Sequence, residues 1–543
     1  MLIISTRRTM KQILYNGKIY LNRNSFASAI IIEDGLIVKT GSDDELLKLL
    51  NIEDVKIDLH GKTVLPGFHD SHLHLYGSAV AFQSVELYGL SSKKEIIQKA
   101  KDFLKDHPIK DNQTLIGRGW NQDHFIDDST LLNRFDLDKI STDFPIVFSR
   151  ACGHVVSVNT KALHVLGITE ETDQIEGGHF DLDQNGHPNG IFRENAIGLL
   201  RPLESSLSIE DKIHLIRQIS KIANKYGITS VSTNDLTLGN KEAQTLEDAY
   251  QFISKNKPSL RVNHQVCFSD LEDFNERIQK GYHLNENEFN SYGPLKLFID
   301  GSLGARTANM RMPYKDDPST TGIQCMSDDE LQQFVSLADR NDISVAIHAI
   351  GDQAMTQVLD AYQKVIQKEN RLRHGIIHCQ ITDKELLNRF KEMDILAYVQ
   401  PIFLHYDMHI VESRVGKDLA STSYAFKTME DLKLHVSYGT DSPVEGLNVF
   451  QNIHCAIHRQ DLKNTPVNGF YPLEKVDLET AIDNYTLGGA YANFQEKHLG
   501  RLLEGYKADL VIIDRDIFTC EPSTIKDIQI ELTMVNGVIV YQK

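Results

Sequence analysis

The feature that most constrains the fold of this chain is the alternation of short β-rich runs with helical stretches. Helical segments such as DDELQQFVSLADRND and DQAMTQVLDAYQKVIQKE fill several of the gaps between the β-rich runs. This alternation indicates βα units and a parallel sheet, and eight strands predict an α/β fold of the (β/α)8 barrel type. The eight candidate strands are TVLPGFHDSHLH, GITSVST, RVNHQVCF, LKLFID, SVAIHAIG, HGIIHCQ, ILAYVQP and HVSYGTDS.

Both ends of the chain carry an Asn-Gly pair between β-forming residues, at Asn16-Gly17 and at Asn536-Gly537. Asn-Gly favours the two-residue turn of a β-hairpin. Because chain termini usually lie close together, we expect one composite β-sandwich domain from residues 10–62 and 497–543, rather than two unrelated hairpins. The barrel then spans residues 63–496.

A long insertion follows the first candidate strand. Roughly 150 residues separate this strand from the second, far more than a normal βα connection contains. The insertion has strand signals of its own, in TLIGRGW, FPIVFSR and GHVVSVN. We therefore predict an inserted domain over residues 80–215 that covers the mouth of the barrel.

The composition is that of an acidic globular protein, with 41% hydrophobic residues and a formal net charge of −18. The charge argues against nucleic acid and anionic membranes as partners, and no run approaches the roughly 18 apolar residues of a membrane-spanning helix. The oligomeric state is open, with a homodimer as one option. The cysteines are far apart and form no C-x-x-C pair, which indicates free thiols and a cytoplasmic protein. They are Cys152, Cys267, Cys325, Cys379, Cys455 and Cys520.

Residues of types found in metal sites lie at the ends of five candidate strands. In a (β/α)8 barrel the functional groups lie at the C-terminal ends of the strands. His72 and His74 share one face of a strand, and Asp70 could fix the tautomer of an imidazole by accepting its hydrogen bond. One buried histidine is usually a core residue, but a set of this size predicts a metal site. The set comprises His72, His74, Lys296, His348, His378 and Asp441.

Lys296 is the unusual member of this set, because an ammonium group is a poor metal ligand and is costly to bury. It shares a strand face with Phe298 and Asp300. Two interpretations are open from the residues alone. Lys296 forms an ion pair with Asp300, or it has reacted with carbon dioxide to give a carbamate, an anion able to bridge two cations.

Seven motifs extend in order over nearly the whole chain: PGFHDSHLH, RGWNQD, GHVVSVNTKAL, LKLFIDGSLGARTA, HAIGD, GTDSP and LGRLLEGYKADLVIID. They resemble the amidohydrolase superfamily, and in particular the branch called amidohydrolase family 3, which includes N-substituted formamide deformylases. The resemblance implies a metal-bearing barrel with a β-sandwich made from both termini, and the six residues above as ligands. It also favours the carbamate interpretation of Lys296.

The implied activity is that of a metal-dependent amidohydrolase, which breaks an amide-type C–N bond of a small molecule with a metal-bound hydroxide. Asp441 is then also the general base and acid. We expect two zinc ions, with iron, manganese or cobalt as alternatives, and a one-metal site is open. The resemblance assigns His72, His74 and Asp441 to the more buried ion, His348 and His378 to the outer ion, and carboxylated Lys296 to a position between them.

Two other functions compete with this one. A deaminase, or another hydrolase of non-peptide C–N or ester bonds, could use the same site. A non-catalytic scaffold on this fold is the third hypothesis, but such a protein is expected to have lost ligands, and this chain keeps the full set.

Three further residues are candidates for substrate contacts. Trp120, the only tryptophan, could line an apolar substrate pocket or pack between domains. His154 could bind the substrate carbonyl or a transition-state oxyanion, or have a structural role. Arg306 lies in a long loop after the fourth strand, where it could anchor a substrate carboxylate or hold the loop in place.

Overall fold

The structure is a computed structural model of the 543-residue chain, and it describes residues 10–109, 113–150, 155–175, 178–203, 207–239 and 241–543. Its main feature is a sheet in which eight parallel strands follow one another in chain order. All eight predicted strands are present, and the (β/α)8 prediction is confirmed. The barrel strands are Phe68–Leu73, Ile228–Thr233, Arg261–Phe268, Asn290–Phe298, Val345–Ala349, Gly375–His378, Leu396–Val399 and Val436–Tyr438.

The first and eighth strands come together at the end where the predicted ligands lie. The Ser71 hydroxyl donates to the Tyr438 carbonyl oxygen over 2.8 Å, and the Asp441 N–H donates to the His72 carbonyl oxygen, also over 2.8 Å. Gly439 lies in this contact, where a Cβ atom would approach the His72 backbone nitrogen to 2.7 Å. Glycine allows this close approach, which brings the segment after the eighth strand against His72.

Helices follow most of the barrel strands. Several begin at residues that suit a helix start, since Asp270, Ser327 and Asp383 each accept a backbone N–H of the first turn. None of the helices in the described ranges is both long enough and apolar enough to cross a membrane. In the part of the chain that forms the barrel they are Leu75–Ala81, Ile209–Lys225, Lys241–Lys255, Leu271–Lys280, Asp328–Arg340, Asp352–Gln363, Lys384–Met393, Leu404–Asp407, Val411–Val415, Lys417–Ala420, Phe426–Asp431, Val449–His458, Leu478–Asn484 and Leu487–Ala492.

Two further sheets share an apolar core, one built from the N-terminal part alone and the other from strands of both termini. Leu14 and Ile30 from the N-terminal part lie in one cluster with Leu510 and Met534 from the C-terminal part. In spatial order, the four-stranded sheet contains Leu36–Gly41, Ala29–Glu33, Gln12–Tyr15 and Val55–Asp58, and the six-stranded sheet contains Val538–Gln542, Ile530–Val535, Leu510–Ile513, Thr63–Pro66, Lys18–Asn22 and Ser25–Ala27.

Two details of this region differ from the predictions. The prediction of a hairpin at Asn16-Gly17 is wrong, because the strands before and after this pair belong to different sheets. Asn536-Gly537 does join two antiparallel strands, as predicted. Thr63–Pro66 pairs with Leu510–Ile513 and with the strand that begins at Lys18, so it belongs to the six-stranded sheet and not to the barrel.

Residues 78–211 form a second compact unit, where the sequence predicts an insertion over residues 80–215. The three strand signals in this segment are confirmed. The unit's sheet contains, in spatial order, Gly178–Leu182, Pro188–Glu194, Val155–Val158, Ile146–Arg150, Leu115–Trp120 and Val85–Glu86, and its α-helices are Lys93–Asp106, Arg134–Asp138 and Thr160–Leu166.

Candidate metal centre

Three of the predicted ligands converge at the C-terminal ends of the barrel strands. His72 lies in the first strand, His378 ends the sixth, and Asp441 follows the eighth. One ligand atom from each residue lies within 4.8 Å of the other two, and all three residues are buried. Asp441 and His378 have φ angles of 57° and 82°, in a left-handed region that residues other than glycine occupy mainly where the surrounding structure holds them, often at functional sites.

His74 and His348 lie beside these three residues. His74 Nε2 is 3.4 Å from Asp441 Oδ1, and His72 Nε2 is 3.5 Å from the same oxygen. The ring of His348 lies edge-on to the ring of His378, with 4.5 Å between the centroids. The fold therefore brings four histidines and one carboxylate to the same end of the barrel.

Hydrogen bonds indicate which nitrogen of these imidazoles carries the proton. His74 Nδ1 lies 2.7 Å from the Asn234 carbonyl oxygen. Because a carbonyl oxygen can only accept, Nδ1 is the protonated nitrogen, and Nε2 keeps the lone pair that a metal ion requires. In His348 the order is reversed, since Nε2 lies 3.0 Å from the Gly301 carbonyl oxygen and Nδ1 keeps the lone pair.

Lys296 is fully buried in the fourth barrel strand. Its Nζ donates to the Leu297 carbonyl oxygen over 3.3 Å and lies 3.6 Å from the centroid of the Phe298 ring. In the described ranges no carboxylate oxygen lies within 4.0 Å of it. Asp300 instead accepts backbone N–H bonds, so the ion-pair interpretation is wrong. The donors to Asp300 are Asn309, Ile350 and Gly351.

Burial sets the charge state of the centre. It lowers the pKa of His72 to about 3, and it lowers the pKa of His378 well below its usual value. It also lowers the pKa of Lys296 to about 8. Burial raises the pKa of Asp441, but the contact with His74 and the nearby rings of His72 and His378 outweigh it, so this pKa lies well below its usual range. The centre therefore combines a carboxylate with neutral imidazoles at His72 and His378, whereas the burial of His74 is outweighed by its contact with Asp441, which raises the pKa of His74.

This arrangement fits a divalent cation. Asp441 Oδ1 is buried and has no hydrogen-bond donor among the described residues, which is costly for a carboxylate oxygen. Two ligands of a tetrahedral zinc ion, each about 2.1 Å from it, are about 3.4 Å apart. The Nε2 atoms of His72 and His74 lie 3.5 and 3.4 Å from Asp441 Oδ1. Imidazole nitrogen and carboxylate oxygen are also donors that zinc accepts readily.

Two of the three residues predicted to contact substrate lie in the described ranges, and both bond to other residues of the protein. Trp120 is fully buried in the core of the inserted unit, and its indole N–H donates to the Phe148 carbonyl oxygen over 3.0 Å. Arg306 forms a two-point ion pair with Asp316, at 2.9 and 3.2 Å. The Arg306 contact agrees with its alternative role of holding the loop in place, whereas Trp120 packs inside the inserted unit and not between domains. The substrate roles of both residues stay predictions. His154 lies outside the described residues.

The predicted role of Asp70 as an imidazole acceptor is wrong. Its carboxylate accepts from the Thr440 N–H and hydroxyl at 3.0 and 2.6 Å, and from the His72 backbone N–H at 3.3 Å. The imidazole acceptors are the Oε1 atoms of Gln265, 2.5 Å from His72 Nδ1, and of Gln400, 2.8 Å from His378 Nδ1. Sequence reasoning missed both. The signal that could have found them is an uncharged polar residue in, or directly after, an apolar strand.

The chain matches the amidohydrolase family over residues 56–541. It belongs to this family. A protein of Bacillus subtilis (strain 168) named amidohydrolase YtcJ is 33% identical over 537 residues, which cover 98% of this chain and 100% of that protein. The N-substituted formamide deformylase of Arthrobacter pascens is 25% identical, with 96% of each chain covered. The solved structure of an uncharacterized metal-dependent hydrolase from Pyrococcus horikoshii has a TM-score of 0.78 and 28% identity, and the match covers 94% of this chain and 99% of that one.

The predicted family is therefore confirmed. The chain is a metal-dependent amidohydrolase, an enzyme that hydrolyses carbon–nitrogen bonds other than peptide bonds.

The ligand geometry predicts the effect of removing one imidazole. His72→Ala and His348→Ala should each lower the bound metal and abolish turnover, while the barrel stays folded on its own apolar core. Metal content by mass spectrometry, circular dichroism and steady-state rates measure these effects. His374→Ala is the matched control, because His374 is also a buried barrel histidine but bonds to Asp339. Parent-like metal content and rates in both ligand variants would contradict the assignment.

Proposed function

We propose that the chain hydrolyses an amide-type C–N bond of a small molecule, with two divalent cations, most simply zinc, at the centre described above. The observation that carries the proposal is Asp441 Oδ1, a buried carboxylate oxygen without a hydrogen-bond donor beside two imidazole nitrogens. The proposed ligands are His72, His74 and Asp441 for one ion, His348 and His378 for the other, and carboxylated Lys296 between the two.

When bound, the cations supply a hydroxide nucleophile at neutral pH and polarise the substrate carbonyl group. The side chains of the protein then position and move protons. Asp441 is ionised at neutral pH, so it can accept the proton of the attacking water and deliver it to the leaving nitrogen. A C–O bond forms at the carbonyl carbon, the C–N bond breaks, and the nitrogen leaves as an amine that carries this proton.

The surroundings of Lys296 support its carboxylation. A buried ammonium group without a carboxylate partner is costly, and burial already lowers the pKa of this lysine to about 8. The neutral amine can add to carbon dioxide, which forms an N–C bond and releases one proton. The product is an anion, which removes the unpaired positive charge and provides oxygen ligands for both cations.

Aromatic side chains beside the ligands support a substrate with an apolar substituent. The Phe298 side chain is 41% exposed, although its strand neighbour Leu297 is buried, and its ring centroid lies 5.5 Å from that of His348. Phe403 is half-buried and its ring stacks on His378, with 5.9 Å between centroids. An apolar group on the substrate amide could contact these rings.

We also propose a cytoplasmic enzyme that forms a homodimer. The described cysteines support the first part, since all five of them are free thiols, as expected in a reducing compartment. Light scattering of the purified protein tests the homodimer, because it measures the molar mass of the particle in solution.

A substrate panel tests the proposed reaction. Amides and N-substituted formamides should be hydrolysed with a higher kcat/KM than cyclic imides or amino-purines, as the proposed reaction requires. Among the amides, apolar substituents should give a higher kcat/KM than polar ones, because Phe298 and Phe403 lie beside the ligands. The same enzyme after treatment with a chelator is the control, and it should be inactive on every compound. Deamination of amino-purines without turnover of any amide would instead favour the deaminase hypothesis.

The bridging role of Lys296 predicts a specific rescue. Lys296→Ala should lose metal and activity, and added short carboxylic acids should restore part of both, because their carboxylate replaces the carbamate. Lys212→Ala is the matched control, since Lys212 is also fully buried but bonds to Thr245. This control should keep its activity and should not respond to the acids. A fully metallated and active Lys296→Ala enzyme would refute the bridge.

The two roles of Asp441 can be separated by a conservative change. Asp441→Asn keeps the shape and one oxygen that can bind weakly, but it removes the base. We expect this variant to keep most of its metal and to lose on the order of a hundredfold or more in kcat, the scale of general acid–base catalysis. Metal stoichiometry and kcat are measured on the same sample. Near-normal kcat in a metallated variant would mean that another group moves the proton.

A further inference from the structure

We propose that Gln265 and Gln400 are positioning residues, which select the metal-binding tautomer of His72 and of His378. The inference rests on the proposed ligand set, and it concerns two residues outside that set. Both glutamines are buried at the end of the barrel where the ligands lie, and each contacts the Nδ1 atom of a ligand imidazole.

The orientation of the Gln265 amide follows from its partners. Its Nε2 donates to the Ser71 carbonyl oxygen over 3.1 Å, so the atom 2.5 Å from His72 Nδ1 is the amide oxygen. An amide oxygen can only accept, and therefore His72 Nδ1 carries the proton. The lone pair of His72 is then on Nε2, the atom that lies 3.5 Å from Asp441 Oδ1.

Gln400 repeats this arrangement at a second ligand. It directly follows the seventh barrel strand, and its Nε2 lies 3.5 Å from the Tyr398 carbonyl oxygen. Its Oε1 lies 2.8 Å from His378 Nδ1, which is again the protonated nitrogen. Two glutamines from different strands thus make the same contact with two of the three residues that converge most closely.

The alternative tautomer shows why this contact matters. Without an acceptor at Nδ1, His72 could carry its proton on Nε2 and donate it to Asp441 Oδ1, which is within reach. That hydrogen bond would satisfy the buried carboxylate and occupy two ligand atoms at once. A cation would then have to break the bond and displace the proton. Gln265 removes this competitor before a cation arrives.

The uncharged amide has a second consequence. A carboxylate in the same place would also hold the tautomer, but it would add negative charge and make the imidazole a more basic ligand. An amide fixes the ring and its tautomer without adding this charge. The cation then withdraws more electron density from a bound water or carbonyl group than it would if a carboxylate held the imidazole. The geometry therefore suits a centre in which the cation must activate water and a carbonyl group.

The test is the zinc affinity of the full-length protein, measured after removal of metal by competition with a chromophoric chelator. Gln265→Leu and Gln400→Leu keep the approximate size of the side chain and remove the acceptor, and each should weaken zinc binding about 10- to 100-fold. Gln265→Glu and Gln400→Glu restore an acceptor and should recover most of the affinity. This rescue separates positioning from a loss of packing.

Two controls make the outcome decisive. Gln357→Leu removes a buried glutamine that bonds to the Met326 carbonyl oxygen, and it should leave zinc affinity unchanged. Leucine variants with zinc affinity within twofold of the parent, beside a large loss in His72→Ala, would overturn the inference and leave the ligand set intact. Parent-like affinity in His72→Ala would overturn the ligand set and this inference together. If Gln265→Leu does not fold, Gln400→Leu provides the same test at the second ligand.

Discussion

The buried carboxylate of Asp441 is the constraint around which the active end of the barrel is organised. Its Oδ1 has no hydrogen-bond donor within the described residues, and the Nε2 atoms of His72 and His74 lie 3.5 and 3.4 Å from it. An uncompensated buried carboxylate costs several kcal/mol, so a fold that holds one in this way must recover that free energy elsewhere. A divalent cation between the oxygen and the imidazoles provides the compensation, and it turns a destabilising group into a ligand.

The backbone around this carboxylate is held by other acidic residues with no direct place in the chemistry. Asp70 bonds to Thr440 and to the His72 N–H, which ties the segment after the eighth strand to the first strand. Asp300 accepts the N–H groups of Ile350 and Gly351, which ties the segments after the fourth and fifth strands together. Asp70 and Asp300 each fix the ends of two strands through hydrogen bonds from backbone N–H groups to the carboxylate. These bonds hold ligands that are far apart in the sequence in fixed positions relative to one another.

Much of this arrangement could be predicted from the sequence, because strand alternation and polar strand ends are local properties. His348 and His378 stand out directly within apolar runs. What could not be predicted depends on distant partners. The two Asn-Gly pairs look alike, yet the first joins strands of different sheets, because the strand after it pairs with Thr63–Pro66. In the sequence pattern, Asp300 lies on the same strand face as Lys296, as an ion pair between them would need. Its carboxylate oxygens instead accept hydrogen bonds from the backbone N–H groups of Asn309 and Gly351.

Gln265 and Gln400 show the same limit at the centre itself. Glutamine has no preference for metal sites, and each acquires its role only when the barrel places it against one imidazole nitrogen. Asp70, close to His72 in the sequence, was the more obvious acceptor, but its oxygens face the backbone. Local spacing thus identifies the ligands more readily than the residues that orient them.

The most direct test of the account is an anomalous-scattering crystal structure of the purified enzyme, with data on both sides of the zinc absorption edge. Strong anomalous peaks are expected in contact with His72, His378 and Asp441, together with continuous density beyond Lys296 Nζ. A metallated protein whose anomalous peaks lie away from these three residues, with Asp441 bonded only to protonated imidazoles, would contradict the account.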